Sequence, residues 1–466
     1  MYRRYTYLTI LIALVVFLVA LAPAGRVTAT VPAGPSTTPD WTAESDQAAA
    51  AYGWSVSSAG DVNGDGYDDL LVGAYDYDSG NLDEGRVFVY HGSASGLSLT
   101  ASWTAESDLT KAAYGWSAST AGDVNSDGYD DVIVGAWLVD DPDRDEGKAY
   151  VYYGSAGGLS PTADWTIGGD QIGAHLGAAV SAAGDVNGDG YDDVIIGAHL
   201  YDNDLAEEGR AYIYYGSAGG LAPTANWYAE GDQEQAQLGY AVGAAGDVNN
   251  DGYDDVIVGA PLYDNGQANE GRALVYYGSA TGPSATANWA VESNQIEAQM
   301  GAAVGPAGDV NGDGYGDVIV GAPRYDHGQA NEGLGFVFLG SASGLGVRPA
   351  WVGEGDQANA AFGASLASAG DVNGDGYADV IVGAYFLNHP ERDEGVALLY
   401  YGSAAGLSRS PNWRTESDNV DAFYGYSVNT AGDVNGDGYA DVVIGAPFFD
   451  NGELDEGRTY VYHGAP

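Results

Sequence analysis

The sequence predicts an all-β fold, a seven-bladed β-propeller with four strands in each blade. Tryptophan recurs every 62 residues in seven copies, and the segment Gly-Asp-Val-Asn keeps the same spacing with no insertion or deletion. Each copy also contains four short strand patterns. Four strands repeated seven times can close into a ring that leaves no long sheet edge exposed. The recurring tryptophans are Trp41, Trp103, Trp165, Trp227, Trp289, Trp351 and Trp413.

The fourth copy illustrates the four strand patterns. Residues 227–230 begin at the recurring Trp, and residues 239–245 follow with mostly small side chains, which suit a strand crowded near a central axis. Residues 256–260 are apolar without a break, as expected for a strand covered on both faces. Residues 272–277 are β-branched and aromatic, which is also typical of a strand. Beyond the N-terminal segment the sequence has no convincing helical period, so we expect a ring built of strands alone.

The two ends of the chain predict how the ring closes. The repeats begin with the strand at Trp41, and the last copy ends after residues 458–462 without a Trp strand of its own. We therefore expect the Trp41 strand to complete the last blade by pairing with residues 458–462. The alternative is an open solenoid, which would need capping repeats that neither end shows.

The composition indicates a folded acidic protein. The 466 residues include 66 acidic and 15 basic side chains, for a formal net charge of -51. This balance argues against nucleic acid or an anionic membrane surface as a partner, because phosphate binding needs clustered Lys and Arg. Hydrophobic residues make up 45% of the chain, too many for a disordered acidic tail. Cysteine is absent, which excludes disulfides, thiolate metal sites and thiol nucleophiles.

The N-terminus has the pattern of a signal peptide over residues 1–24. Arg3 and Arg4 precede an apolar run, and the small residues at 22–24 fit a cleavage site. Residues 25–40 are rich in Pro, Thr and Ala and are interpreted as a flexible linker, which leaves 41–466 for the propeller. The alternative is an uncleaved anchor, although the run is shorter than the roughly 20 residues that a span needs. Either way we expect the ring to lie outside the cytoplasm, secreted or held at the cell surface. With the signal peptide removed, we expect no transmembrane domain in the mature chain.

Between the second and third strand patterns, each copy carries the nine-residue sequence Asp-x-Asn-x-Asp-Gly-x-x-Asp, here called the acidic loop. The first copy places Asp61, Asn63 and Asp65 at positions one, three and five, and Asp69 at position nine. Calcium takes about six to eight oxygen ligands of these types, and a Gly at position six lets the chain coil tightly around an ion. The backbone carbonyl of Tyr67 at position seven would add a further ligand.

We predict that the acidic loops bind about seven calcium ions, one in each blade. Zinc is disfavoured because all the ligands are hard oxygens, and magnesium because it retains several waters. The alternative is an Asx-rich turn without an ion, in which the three carboxylates would repel one another. Position eight is Asp in the first four copies but Gly or Ala in the last three, so it is not an essential ligand. The predicted ligands are Asp61, Asn63, Asp65, Tyr67, Asp69, Asp123, Asn125, Asp127, Tyr129, Asp131, Asp185, Asn187, Asp189, Tyr191, Asp193, Asp247, Asn249, Asp251, Tyr253, Asp255, Asp309, Asn311, Asp313, Tyr315, Asp317, Asp371, Asn373, Asp375, Tyr377, Asp379, Asp433, Asn435, Asp437, Tyr439 and Asp441.

These units resemble FG-GAP repeats, the building blocks of the propeller that heads integrin α subunits. The Phe-Gly element is present at Phe362, and Tyr replaces this Phe in three other copies, while Gly-Ala-Pro begins at Gly259, Gly321 and Gly445. Copies three to five have Leu176, Leu238 and Met300 at the aromatic position, which should only soften the packing. The resemblance covers Trp41 to the C-terminus. It implies an extracellular adhesion or recognition module that binds calcium on one face and partners on the other.

In the closed ring the Trp strand of each copy is the last strand of a blade, so the acidic loops join the first and second strands of each blade. The opposite face then carries the connections between the second and third strands. The copies differ most there, which favours either recognition or neutral drift of solvated loops. One polar side chain recurs six residues before the Glu of a Glu-Gly pair. We expect it to cap a turn, and a second ion or a basic partner is the alternative. These residues are Asp78, Asp140, Asp202, Asp264, Asp326, Asn388 and Asp450.

We therefore predict a secreted calcium-binding propeller that recognises an extracellular protein or glycan and is not an enzyme. No copy carries an acid–base pair that sets it apart from its siblings. Two alternatives stay open, a lectin-like carbohydrate binder and an accessory propeller of a polysaccharide-active or other extracellular enzyme. Aromatic side chains in several similar pockets would favour the first. A His or Lys unique to one blade would favour the second.

Overall fold

A computed structural model describes residues 34–466, where the chain forms 28 β-strands and no α-helix. The predicted signal peptide and the first part of the predicted linker lie outside the described residues. In chain order the strands are β1 (Trp41–Glu44), β2 (Ser55–Gly60), β3 (Asp69–Ala74), β4 (Arg86–Tyr90), β5 (Trp103–Glu106), β6 (Tyr114–Gly122), β7 (Asp131–Ala136), β8 (Lys148–Tyr152), β9 (Trp165–Gly168), β10 (Leu176–Gly184), β11 (Asp193–Ala198), β12 (Arg210–Tyr214), β13 (Trp227–Glu230), β14 (Ala241–Gly246), β15 (Asp255–Ala260), β16 (Arg272–Tyr276), β17 (Trp289–Glu292), β18 (Ala303–Gly308), β19 (Asp317–Ala322), β20 (Leu334–Phe338), β21 (Trp351–Glu354), β22 (Ser365–Gly370), β23 (Asp379–Ala384), β24 (Val396–Tyr400), β25 (Trp413–Glu416), β26 (Ser427–Gly432), β27 (Asp441–Ala446) and β28 (Arg458–Tyr462).

The strands form seven four-stranded antiparallel sheets, one for each blade, in the described part of the chain. Blades 1 to 6 are β2–β5, β6–β9, β10–β13, β14–β17, β18–β21 and β22–β25, and blade 7 combines β26–β28 with β1. The first strand of each blade lies against the first strands of both neighbouring blades, and β26 returns to contact β2. The ring is therefore closed, and the predicted seven-bladed propeller is confirmed.

The predicted closure by the N-terminal strand is also confirmed. Strand β1 pairs antiparallel with β28, with Trp41 opposite Val461 and Glu44 opposite Arg458. The carboxylate of Glu44 forms an ion pair with the Arg458 guanidinium at the end of this ladder. Blade 7 is thus built from both ends of the ring, which leaves no unpaired edge between them.

The predicted linker does not remain free of the ring at its C-terminal end. The carbonyl of Ser36 accepts a hydrogen bond from Trp413 Nε1 (3.0 Å), and Asp40 bonds to Val461 and His463. The same indole bond joins every other recurring Trp to a carbonyl 57 residues further along the chain. Trp413 belongs to the last copy and has no residue 57 positions after it, so Ser36 from the start of the chain supplies the equivalent carbonyl. The repeat therefore begins before Trp41. Sequence alone missed this because the partner of Ser36 lies 377 residues away.

The core lies between adjacent blades. Every residue of the second strand in each blade is buried, as its unbroken apolar sequence predicts. One representative cluster joins Val337 and Trp351 of blade 5 to Val380 and Val396 of blade 6. The first strand of blade 4 ends at Gly246 (φ +69°), one residue beyond the prediction, because a bulge before this Gly turns the chain into the acidic loop.

Candidate functional site: acidic loops and the opposite face

Each acidic loop coils around the carboxylate at its first position. In blade 1 this carboxylate, on Asp61, accepts the backbone N–H groups of Gly64 (2.7 Å), Asp65 (3.0 Å) and Gly66 (2.8 Å). The amides of positions five and six donate to position one in all seven loops. Gly66 has φ +89° and open space where a Cβ would stand, so its backbone conformation, and not crowding, requires glycine. The tight coil predicted for the loop is present.

The carboxylate at position nine anchors the loop to the blade. Asp69 is fully buried, and its two oxygens accept N–H groups from Val62 (3.2 Å) and Gly92 (2.8 Å). Burial raises the pKa of Asp69 to about 7, and the two backbone hydrogen bonds counter that rise. The same pair of bonds recurs in the other six blades. Position nine therefore joins the loop to the turn that follows the third strand of its blade.

The donor set of the loops fits calcium. It consists of carboxylate, amide and carbonyl oxygens, which calcium prefers. The Asn at position three leaves a buried side-chain atom without a hydrogen-bond partner in four of the seven loops, and its amide can be rotated so that the oxygen faces an ion. These atoms are Asn63 Nδ2, Asn125 Oδ1, Asn249 Oδ1 and Asn373 Nδ2. Within residues 34–466, the clusters of three His or carboxylate groups within 4.8 Å of one another lie in other loops. Calcium binding by the acidic loops therefore stays a prediction.

Position eight, which the sequence excludes as an essential ligand, connects neighbouring blades. The Asp130 carboxylate of blade 2 accepts the N–H of Asp61 in blade 1 (2.8 Å), and its own N–H donates to the Asp61 carbonyl (3.2 Å). We call the bond from the position-one amide to a position-eight carboxylate the loop clasp. Burial raises the pKa of Asp130, and the bond from Asp61 counters that rise. The four clasps pair Asp68 with Asp433, Asp130 with Asp61, Asp192 with Asp123, and Asp254 with Asp185.

Three blade interfaces lack the loop clasp. Gly316, Ala378 and Ala440 donate their N–H groups to the preceding loop at 2.9–3.1 Å but have no carboxylate to accept one. The acidic-loop face therefore has a clasped part, from blade 7 through blade 4, and an unclasped part, from blade 4 through blade 7. A comparison of the position-eight residues in the seven copies could have predicted this division. It could not have predicted that the position-eight carboxylate bonds to the position-one amide, because that amide lies in the preceding blade.

The opposite face has an aromatic cluster at the mouth of the central channel. The first strands line the channel, and the residue directly after the Gly of the Phe-Gly element, at or near the start of each first strand, is aromatic in four blades and Ala in three. The Trp54 ring contacts Tyr426 and Trp116, with centroid separations of 4.3 Å and 4.6 Å. We define the mouth cluster as Trp54, Trp116, Trp137, Tyr240, Tyr385 and Tyr426. The aromatic residues thus meet in one central group and not in a separate pocket for each blade.

A cavity of about 470 Å³ opens beside the mouth cluster. It lies where Ala302 and Ala364 stand in place of an aromatic residue. None of the described residues that line it is acidic, although the chain carries a net charge of -51. Its lining includes Tyr240, Gln299, Ala302, Arg324, Asn331, Asn359, Ala364, Tyr385, Phe386 and Tyr426.

Arg324 supplies the positive charge of this cavity. Its side chain is exposed and makes no ion pair with the described residues. By contrast, Arg86, Arg210 and Arg458 pair with glutamates of their own blades. The Arg324 guanidinium is therefore available to an anionic group that enters the cavity.

Blade 3 places two histidines beside the mouth cluster. Trp137 Nε1, His175 Nδ1 and His199 Nδ1 are buried and have no partner among the described residues. Burial and, to a smaller extent, the neighbouring His175 lower the pKa of His199 to about 3, so the imidazole is neutral near pH 7. Buried polar nitrogens normally have a hydrogen-bond partner, but these three are enclosed by the protein and lie outside the described lining of the cavity.

The recurring polar residue six positions before Glu-Gly caps a turn, as predicted. Asp78 Oδ1 accepts the N–H of Asp83 at 2.7 Å. The equivalent bond is present in every other blade at 2.6–2.7 Å, with Asn388 replacing Asp in blade 6. The residue that donates has a positive φ, for example 50° at Asp83, and the cap stabilises that turn.

The fold and its acidic loops define a propeller of seven closely similar units. The FG-GAP repeat family matches residues 52–90, 114–152, 176–214, 238–276, 300–338, 362–399 and 424–462, which together make up more than half of the chain. The chain therefore belongs to the FG-GAP repeat family. The resemblance to the integrin α propeller is confirmed by similarity to integrin sequences.

Two integrin sequences illustrate that similarity. The chain is 35% identical over 220 residues to integrin alpha-V of Gallus gallus, a match that covers 45% of this chain and 20% of the relative. It is 30% identical over 264 residues to integrin alpha pat-2 of Caenorhabditis briggsae, covering 53% and 21% respectively. The chain thus spans about a fifth of the length of these relatives.

Among solved structures, the exotype rhamnogalacturonan lyase YesX aligns with 92% of this chain and 74% of its own, at a TM-score of 0.43 and 13% identity.

Across residues 34–466, no helix has the length and apolar character needed to cross a membrane.

Proposed function

We propose that this chain is an extracellular, calcium-binding recognition propeller that holds its ligand at the mouth of the ring opposite the acidic loops. Membership of the FG-GAP repeat family and similarity to integrin α subunits support a role in adhesion or recognition. The observation that carries the proposed location is the cavity beside the mouth cluster. It combines aromatic walls, amide side chains and one unpaired cation on an otherwise acidic molecule.

The calcium ions would stabilise the ring and would not contact the ligand. The acidic loops follow the ends of the first strands, whereas the cavity lies at the beginnings of those strands. Residues at positions one, three, five, seven and nine would hold each ion, and the ion would offset the repulsion between their carboxylates. Binding of an ion to the folded ring alone also stabilises that state by mass action.

A glycan is the second candidate ligand, because the cavity lining suits one. Tyrosine rings can stack on the C–H face of a pyranose, and Gln299, Asn331 and Asn359 can bond to hydroxyl groups. Arg324 would favour a sugar with a carboxylate. This cavity, however, is lined by residues of several blades, such as Tyr240, Arg324 and Tyr385, and so differs from the several similar pockets that the lectin-like alternative predicts.

The proposed role is binding and not catalysis. His199 and His175 are unique to blade 3, which by itself favours an enzyme accessory. The pKa of His199, near 3, is too far below neutral pH for an efficient general base. Both histidines also lie outside the described lining of the cavity, which contains no carboxylate.

An array that carries acidic glycans, neutral glycans and extracellular matrix proteins tests the proposal. The full chain should bind a subset of these probes in calcium. Arg324→Ala should weaken that binding at least tenfold by removing the cation. Ala364→Trp should do the same by filling the cavity with the residue that blades 1 and 2 carry at this position.

Arg348→Ala is the matched control, because Arg348 is exposed in a loop between the third and fourth strands, on the acidic-loop face. It should bind the same probes as the unaltered chain. Equal binding by all three variants would contradict the proposed location, and no binding by the unaltered chain in calcium would contradict the proposed function.

A further inference from the structure

The Glu of each Glu-Gly pair is buried on the opposite face, at 0–3% exposure in all seven blades. In six blades its carboxylate accepts backbone N–H groups from the connection between the second and third strands. Glu332 of blade 5, for example, accepts from His327 (2.6 Å) and Gln329 (3.1 Å). The equivalent bonds occur in blades 1, 2, 3, 4 and 7. In these six blades at least one oxygen of this Glu is therefore bonded to its own loop, although Glu146 Oε1 and Glu270 Oε2 are buried without a partner.

Glu394 of blade 6 is different. It is 0% exposed, and neither of its carboxylate oxygens has a hydrogen-bond partner among the described residues. Leaving a buried carboxylate without a partner is costly, because the charge has lost its water. In the blade 6 loop, Asn388-His389-Pro390-Glu391, the His389 N–H lies near Glu394, but none of the loop amides reaches the hydrogen-bond geometry found in the other six blades. A partner from outside the protein would satisfy this carboxylate.

The groups around Glu394 are ligands for a metal ion. His389, Glu394 and Glu416 place ligand atoms within 4.8 Å of one another, and Glu391, Glu394 and Asp418 form a second such group. The two groups share Glu394. Glu391 Oε2 is also buried without a partner, and His389 Nδ1 lies 3.1 Å from Glu416. Four potential ligands, His389, Glu391, Glu416 and Asp418, thus surround the Glu394 carboxylate.

We propose that blade 6 binds one divalent transition-metal ion of the zinc type through His389, Glu394 and Glu416, with Glu391 or Asp418 completing the shell. An imidazole nitrogen combined with carboxylates suits zinc and its neighbours, whereas calcium prefers oxygen ligands alone. Arg414 bonds to Glu416 (3.1 Å) from a partly exposed position, and its side chain can move aside when the ion binds. This site is separate from both the acidic loops and the mouth cavity.

Blade 5 provides a natural control for this proposal. It has the same ligand types, His327, Glu332 and Glu354, within 4.8 Å of one another. The contact of His327 with Glu354 matches that of His389 with Glu416 in blade 6. Its buried Glu332, however, is already bonded to two backbone amides. A metal would have to displace those two amide bonds, so blade 5 should bind zinc much more weakly than blade 6.

Calorimetric titration of the full chain with ZnCl₂, in saturating calcium, tests the site. Calcium keeps the acidic loops occupied, so one equivalent of zinc should bind tightly. His389→Gln and Glu394→Gln should each weaken this binding more than tenfold, and His327→Gln should leave it unchanged. The side chain of His389 is 59% exposed, so its replacement tests the site without altering the core.

Cobalt absorption spectroscopy provides a second measurement that does not depend on calorimetry. The unaltered chain and the His327→Gln variant should both develop the visible bands of cobalt bound to nitrogen and oxygen, and His389→Gln should not. The proposal is overturned if the unaltered chain binds less than one equivalent of zinc. It is also overturned if the His389 and Glu394 variants bind as well as the unaltered chain, or if the His327 variant loses binding equally.

Discussion

The clasped and unclasped parts of the ring share nearly the same repeat but are joined differently. In the clasped part, an Asp at position eight gives the first amide of the preceding loop a carboxylate acceptor. In the unclasped part, position eight has no carboxylate, and the loops are joined only by the bond from its N–H to the position-one carbonyl of the preceding loop. The residues at position eight there are Gly316, Ala378 and Ala440. The strands and the acidic loops are otherwise equivalent. A repeat protein can therefore vary the strength of its interfaces by one residue without changing its fold.

The clasp also changes the electrostatics of the face. Each position-eight Asp adds a half-buried negative charge next to the acidic loop of the neighbouring blade. Without a cation this charge would repel the carboxylates of the acidic loop. With a cation bound, it would add to the negative potential that holds the ion. The clasped part should therefore gain more than the unclasped part from calcium.

Removal of calcium is the change with the largest expected effect. At free calcium ten times the dissociation constant, each site adds about 1.4 kcal/mol, so seven independent sites add roughly 10 kcal/mol. Chelation should lower the melting temperature by about 10 °C for a ring of this size. Scanning calorimetry with and without chelator measures the shift, and an unchanged melt would contradict calcium binding by the acidic loops.

Hydrogen exchange in the same experiment compares the two parts of the ring. The amides of Asp61, Asp123, Asp185 and Asp433 donate to clasps and should exchange slowly in calcium. The corresponding amides of Asp247, Asp309 and Asp371 donate to no clasp and should exchange faster. Equal rates at all seven positions would show that the clasp gives no local protection.

Truncation of the N-terminus is the next largest change, and it acts on the unclasped interface between blades 6 and 7. Deleting residues 1–45 removes β1, which leaves the edge of β28 exposed, so we expect aggregation or a loss of several kcal/mol. Deleting residues 1–37 removes the Ser36 carbonyl that bonds to Trp413, at a cost of about 0.5–1.5 kcal/mol, together with the buried residues Gly34 and Pro35. Deleting residues 1–33 keeps both contacts and is the control. If all three deletions melt alike, the strand-completed closure is wrong.

The contacts removed by these truncations include one that the sequence predicts, the β1–β28 pairing, and one that it does not, the Ser36–Trp413 bond. The number of blades, their strands and the closure follow from the spacing of Trp and Gly-Asp-Val-Asn and from the strand missing in the last copy. The coiled acidic loops and the turn caps also follow, because their partners lie within nine residues. The clasp and the Ser36 bond were missed because each connects one blade to the next. Arg324 and the mouth cavity depend on the shape of the whole ring, although the mixture of Trp, Tyr and Ala at position 54 and its equivalents was a visible signal.

Replacing one clasp measures its contribution directly. Asp130→Ala leaves the Asp61 amide without its carboxylate acceptor, as at the unclasped interfaces. We expect the free energy of unfolding in saturating calcium to fall by about 1–3 kcal/mol. Ala378→Gly, which copies the residue at position 316, is the control and should cost less than about 1 kcal/mol. If Asp130→Ala stabilises the ring, then the repulsion between Asp130 and its acidic neighbours outweighs the hydrogen bond.

Adding a clasp is the smallest change and the sharpest test of the comparison. Ala378→Asp places a carboxylate opposite Asp309, and Gly308 leaves room for it, as Gly60 does for Asp130. In saturating calcium we expect a gain of about 0.5–1.5 kcal/mol in the free energy of unfolding, since a new hydrogen bond forms beside an ion. After chelation the same substitution should destabilise the ring, because the added charge then meets the uncompensated carboxylates of the acidic loops. A change of sign between the two conditions would show that the clasp and calcium act together, and a gain of the same size in both would show that the clasp acts as a hydrogen bond alone.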